Sequence, residues 1–85
     1  MLEKIQEFGE TVTREQIHGL KKSLGEDLYE LLDRAFESET EEEAKERIDT
    51  FVSAAKKSPV RVLKSRGILT GDQKAVIAEF MGTDS

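Results

Sequence analysis

The 85-residue chain has no cysteine, no tryptophan and no asparagine, and only one proline and one histidine. Without cysteine it can build neither a disulfide framework nor a thiolate zinc site, and it has no thiol nucleophile. Long apolar runs are also missing. No stretch approaches the ~18 residues of a membrane span, and the opening MLEKIQEFGE lacks the apolar core of a secretion signal. A soluble, cytoplasmic protein is therefore expected. The lack of asparagine, beside 21 Glu and Lys residues, follows the compositional drift of proteins from hot environments.

Catalytic signatures are equally scarce. There is no Gly-x-Ser-x-Gly elbow, no glycine-rich phosphate loop and no EF-hand spacing, and a single histidine must serve any base. Carboxylates abound, but they fall on polar helix faces, where nothing raises a pKa as general acid catalysis requires. No enzyme, catalytic residue, metal or cofactor is expected. The nearest approach to a metal motif is Glu15 with His18, whose i, i+3 spacing resembles one half of a di-iron carboxylate site. One chain supplies only one such half, so a site would need a homodimer and further carboxylates such as Glu30 or Asp33. A solvated Glu–His pair on a helix surface, a spacing common by chance, accounts for it without any metal.

What remains is 36% hydrophobic and 36% charged, with 25 large apolar residues set at helical intervals. No segment alternates with period two. The expectation is an all-α fold, a single domain over 1–85 made of a compact bundle of five or six short helices. The first spans 1–10 on Leu2, Ile5 and Phe8, with Gly9 expected to end it. Region 13–37 starts at a Thr13–Gln16 capping box and reads as a helical hairpin broken at Gly25, with a Ser23–Glu26 box starting the second arm. The stripe Ile17, Leu20, Leu24, Leu28, Leu31 stays in phase, so one long helix is the alternative.

A helix over 40–57 has the strongest start in the chain. Thr40 caps it, Glu41, Glu42 and Glu43 fill its first turn, and Lys56 and Lys57 close it, as the helix dipole favours. Region 58–82 reads as a basic helix-turn-helix-like hairpin. Ser58 and Pro59 start its first arm, Val60 and Leu63 are expected to face the core, and Gly67 to supply a left-handed C-cap. Thr70 and Gln73 cap the second arm, which buries Val76, Ile77, Phe80 and Met81 and stops at Gly82.

The net charge of −5 is an average over two unlike halves. Residues 1–50 hold 15 acids and 7 bases; residues 51–85 hold 3 acids and 6 bases. Glu26, Glu30, Asp33 and Glu37 step along one helix face, and Glu43 and Glu46 lie on the next helix. Like-charge i, i+4 pairs such as Glu26/Glu30 and Asp33/Glu37 are mildly destabilising, which suits a docking surface for a basic partner. A simple solvated face explains them as well.

The opposite feature is the run Lys56, Lys57, Arg61, Lys64, Arg66, which contains no acid. It could neutralise phosphates, though no aromatic residues are interleaved to stack bases. It could equally face the acidic helices of its own chain.

Val62-Leu63, the turn Arg66-Gly67-Ile68-Leu69-Thr70, and Ile77-Ala78 before Met81-Gly82 resemble the opening half of a helix-turn-helix. That family's recognition helix would begin where this sequence reaches Ser85. The resemblance thus implies DNA binding only with residues beyond that point. An alternative register, with Gly25 in the turn, would put the acidic Glu26-Asp27-Leu28-Tyr29-Glu30 in the groove, where phosphates repel it.

The expected function is that of a non-catalytic regulatory or adaptor module docking on a protein partner through Glu26, Glu30, Asp33, Glu37, Glu43 and Glu46. The alternative is nucleic-acid binding through Lys56, Lys57, Arg61, Lys64 and Arg66. A homo-oligomer is compatible with either, and neither needs a membrane.

Overall fold

Thr13, Thr40 and Thr70 each stand one residue before a helix in the computed structural model, which describes residues 1–82. Their hydroxyls accept from the backbone N–H three residues on, at 3.1 Å from Gln16, 3.1 Å from Glu43 and 3.2 Å from Gln73. At Thr13 and Thr70 the glutamine side chain accepts from the cap residue's own N–H, at 3.0 Å in each case. Both capping boxes therefore form, and they satisfy amide donors that a helix start leaves without a partner.

Six helices result among the described residues, and no strand. They are α1 (Leu2–Thr11), α2 (Arg14–Leu24), α3 (Glu26–Phe36), α4 (Glu41–Lys56), α5 (Pro59–Arg66) and α6 (Gly71–Met81). The chain is an all-α bundle, as its periodicity requires. None of these helices is long and apolar enough to cross a membrane.

The core sits between α1, α3 and α4. Ile5 and Phe8 meet Leu28, Leu32 and Ala35 of α3 and Ala44, Ile48, Phe51 and Ala55 of α4 in one buried cluster, which Leu20 and Leu24 of α2 extend. α3 and α4 form the most extensive helix pair, while α5 packs chiefly on α2. The radius of gyration is 11.5 Å, close to the ~12 Å of a compact chain of this length.

Gly25 does break the second helical region. Its backbone lies at φ 91°, ψ 151°, a conformation open to glycine and strained for any residue with a Cβ. Other expectations fail for identifiable reasons. Gly9 does not end α1, which runs on to Thr11. It serves instead as a point of close approach, because a Cβ there would lie 3.2 Å from the ring of Phe36, which stacks on Phe8 at 5.7 Å between centroids.

The Ser23–Glu26 box does not form either. Ser23 lies inside α2 and donates back to the Gly19 carbonyl at 2.8 Å, the local bond that serine makes within a helix. Nor is Gly67 a left-handed cap, since its φ is −67°. The chain continues in tight right-handed turns there, with Gly67, Ile68 and Leu69 donating to the carbonyls of Lys64, Ser65 and Arg66. Those bonds occupy the last-turn carbonyls that a left-handed cap would have satisfied. Gly82, by contrast, ends α6 at φ 70°.

Candidate functional site

The acidic residues singled out from the sequence divide between two situations. Glu37, Glu43 and Glu46 converge on a groove of about 560 Å³ between α3 and α4, together with Leu31 and Thr50. The same groove holds Arg34 and Arg47. Glu30 pairs with Arg34 at 3.0 Å, Glu43 with Arg47 at 3.5 Å, and Arg47 also donates to the Arg34 carbonyl at 2.9 Å. A groove that reads as acidic along the sequence is thus interleaved with guanidinium groups.

Glu43 is further held by the Glu39 amide, which donates to it at 2.9 Å. That amide holds its carboxyl below the usual range, opposed by burial, with Arg47 and the Thr40 backbone adding smaller help. Glu26, Asp33, Glu37 and Glu46 make no ion pair among the described residues.

The basic segment divides as well. Arg61 is engaged with its own chain at the surface: Nη1 donates to the Leu24 carbonyl at 3.3 Å and to Asp27 at 3.1 and 3.2 Å. It therefore clamps the corner at Gly25, where α2 turns into α3. The Leu28 amide and this guanidinium together hold the Asp27 carboxyl below its ordinary value. Here the basic helix does meet an acid of its own chain, and among the described residues Arg61 is the one member of the basic run that does so. Lys56, Lys57, Lys64 and Arg66 make no ion pair among the described residues. Lys57 borders a shallow recess that also holds Glu46 and Asp49, whereas Lys56 and Arg66 border a different one.

That second recess is a notch of about 260 Å³ lined by Ala55, Lys56, Pro59, Val62, Leu63, Arg66 and Met81. It forms where the end of α4, the outer side of α5 and the end of α6 meet. The helix that shapes it is turned the opposite way from the sequence expectation. Val60 and Leu63 are exposed, at 63% and 67%, and they are the exposed large hydrophobic residues of the described chain. Ser65 is buried in their place, its hydroxyl donating to the Val62 carbonyl at 2.7 Å.

The reason lies in the geometry of so short a helix. Residues two apart are separated by ~200° around the axis, so Val60 and Val62 cannot both face inward. Arg61, anchored on Asp27 and Leu24, and Ser65, four residues on, define the side that meets α2. Leu63 then points away.

No family model, curated protein or solved structure matches this chain. Its function has to be read from these surfaces.

The remaining sequence candidate is not assembled into a site. Glu15 and His18 both lie exposed on α2, and the described residues contain no group of three or more His, Cys, Asp or Glu side chains placed to hold a metal ion. What the sequence reading missed is the α5 face. A signal for it was present in the Val60, Val62, Leu63 triplet, which is too wide for one buried stripe.

Proposed function

We propose that this chain is a non-catalytic helical docking module for a protein partner, and that the outer face of α5 is its contact surface. One observation carries the reading. Two large aliphatic side chains that could have been buried stand exposed beside an apolar notch, on a segment that holds no acid between Asp49 and Asp72. Single exposed hydrophobics are ordinary, but two on adjacent turns of one helix, with Pro59 and Met81 beside them, make a patch of the kind that partners cover. The acidic groove between α3 and α4 is a second candidate surface, for a basic partner. It ranks lower because Arg34 and Arg47 already neutralise part of it.

The experiment is partner capture from the native cell extract with three baits: the wild-type chain, Leu63→Ser, and the charge reversal Glu30→Lys with Asp33→Lys. Capture lost with Leu63→Ser and kept with the charge reversal is the expected result. Loss with the charge reversal alone would move the contact to the acidic faces. A captured set unaffected by either change would remove the proposal.

Nucleic-acid association is the second reading, favoured by Lys56, Lys57, Lys64 and Arg66, four cations that make no ion pair among the described residues. It predicts binding to duplex DNA or RNA that weakens steeply and log-linearly with salt. Fluorescence anisotropy across a salt series tests it, and no binding at ~50 mM salt ends it.

A further inference from the structure

The α5 face is neither simply apolar nor simply basic, and that combination narrows what can cover it. Its centre is Leu63 and Val60, with the notch of Ala55, Pro59, Val62 and Met81 beside them. Lys56 and Arg66 stand on the border of the same notch, and neither makes an ion pair among the described residues. We infer that this notch receives an acidic amphipathic peptide segment, one apolar side chain seating against Leu63 and Met81 while its carboxylates meet Lys56 and Arg66. The inference rests on the docking reading above and specifies the chemistry of the partner.

Each part of the surface excludes an alternative occupant. A phosphate backbone would satisfy the cations, yet it offers nothing to two exposed aliphatics, and no aromatic side chain lines the notch to stack a base. A purely apolar partner would leave Lys56 and Arg66 facing an uncharged surface, at a desolvation cost with no compensating pair. A bilayer suits protruding side chains, whereas part of this apolar surface lies in a recess between the ends of α4 and α6 and the side of α5. An acidic amphipathic helix satisfies all of it, because apolar residues at i, i+3 or i+4 fill a notch while acids on the flanks reach its rim. Rim charges of this kind set orientation and the rate of encounter, and the buried apolar anchor sets the lifetime of the complex.

The test is selection from a random peptide library of about 16 residues, displayed against the intact chain, with each enriched peptide then titrated against variants. Leu63→Ser and Arg66→Glu alter exposed side chains, and both should keep the helical circular dichroism and the urea midpoint of the wild type. The expected outcome is enrichment of acidic peptides with apolar residues three or four apart. Their affinity should fall at least about tenfold with Leu63→Ser and again with Arg66→Glu.

Peptides that depend on Leu63 but carry no acidic bias, and that ignore Arg66→Glu, would overturn the acidic partner while leaving the docking reading intact. Absence of any Leu63-dependent peptide would overturn both. Three further probes are run in parallel: duplex DNA, phosphatidylserine vesicles, and sedimentation of the chain alone. Binding or self-association in one of these that Leu63→Ser abolishes, with no acidic peptide enriched, would assign the face to that occupant and overturn the inference.

Discussion

Gln16 and Gln73, the third residues of α2 and α6, grip each other's side-chain amides. Gln16 Nε2 donates to Gln73 Oε1 at 2.7 Å, and Gln73 Nε2 donates to Gln16 Oε1 at 3.1 Å. Each glutamine simultaneously closes its own capping box, and Gln73 also donates to Thr11 Oγ1 at 3.1 Å while Gln16 reaches the Ile68 carbonyl at 3.3 Å. Two helix starts, the end of α1 and the α5–α6 connection are thereby tied into one network around the buried Gln73 side chain. A network of this kind is stabilising only while every member is satisfied.

Gln73→Leu should therefore be costly despite its similar volume. It leaves Gln16 and Thr11 short of partners in a partly buried place and removes half of a capping box, a loss of about 2–3 kcal/mol. Urea unfolding measures it. The Gln16→Leu and Gln73→Leu double variant should lose clearly less than the sum of the single changes, since the two side chains share one interaction.

Gly25→Ala should destabilise by about 1–3 kcal/mol, the cost of forcing a side chain into a backbone conformation that only glycine adopts freely. The new Cβ would also lie 2.8 Å from Asp27 Oδ1 and 3.2 Å from Arg61 Nη1, so the clamp on this corner would have to shift. Chemical denaturation gives the loss. A chain that unfolds at the wild-type urea midpoint would show that the corner relaxes into an ordinary conformation.

Ser38→Ala should leave stability unchanged or raise it, by up to about 1 kcal/mol. Ser38 lies buried between α3 and α4, its amide donates to the Ala35 carbonyl at 3.1 Å, and its hydroxyl is the one buried side-chain polar atom without a hydrogen-bond partner among the described residues. Removing an unsatisfied hydroxyl removes its desolvation cost and leaves the backbone bond in place. A lower urea midpoint in the variant would contradict this.

The pH dependence follows from three carboxylates held below their ordinary values. Asp27 accepts from the Leu28 amide and Arg61. Glu41 accepts from the Leu2 amide at 2.8 Å and pairs with the N-terminal ammonium at 2.9 Å. Glu43 accepts from the Glu39 amide. A depressed folded-state pKa means the unfolded chain binds protons first. The stabilisation is therefore fully present above the ordinary values of 3.8 and 4.5 and is lost as pH falls through the lower folded-state values. The urea midpoint should hold from about pH 7 to about pH 5.5 and fall on further acidification. Glu41→Gln should flatten part of that fall, because its contacts with the start of α1 no longer titrate.

The helices and their starts could be read from local chemistry. Threonine hydroxyls at Thr13, Thr40 and Thr70 cap through bonds that span three residues, and Gly25 breaks a helix through its own backbone freedom. The charge division between the two halves likewise needs no fold to be seen. Which way α5 faces did not follow from its own residues. Val60 with Leu63, and Val62 with Ser65, are both helical pairs, so the eight-residue segment permits either rotation.

The rotation that is adopted goes with contacts 34 and 37 residues distant in sequence, in which Arg61 reaches Asp27 and the Leu24 carbonyl on the side of α5 where Ser65 is buried. Similarly, each of Gln16 and Gln73 belongs to a capping box visible in its own four residues. That the two boxes would interlock depends on packing that brings together positions 57 residues apart. Short-range hydrogen bonds are specified by spacing along the chain. The exposed aliphatic face of α5 arises only when the helices compete for the same core, because burying one side of a short helix necessarily exposes the other.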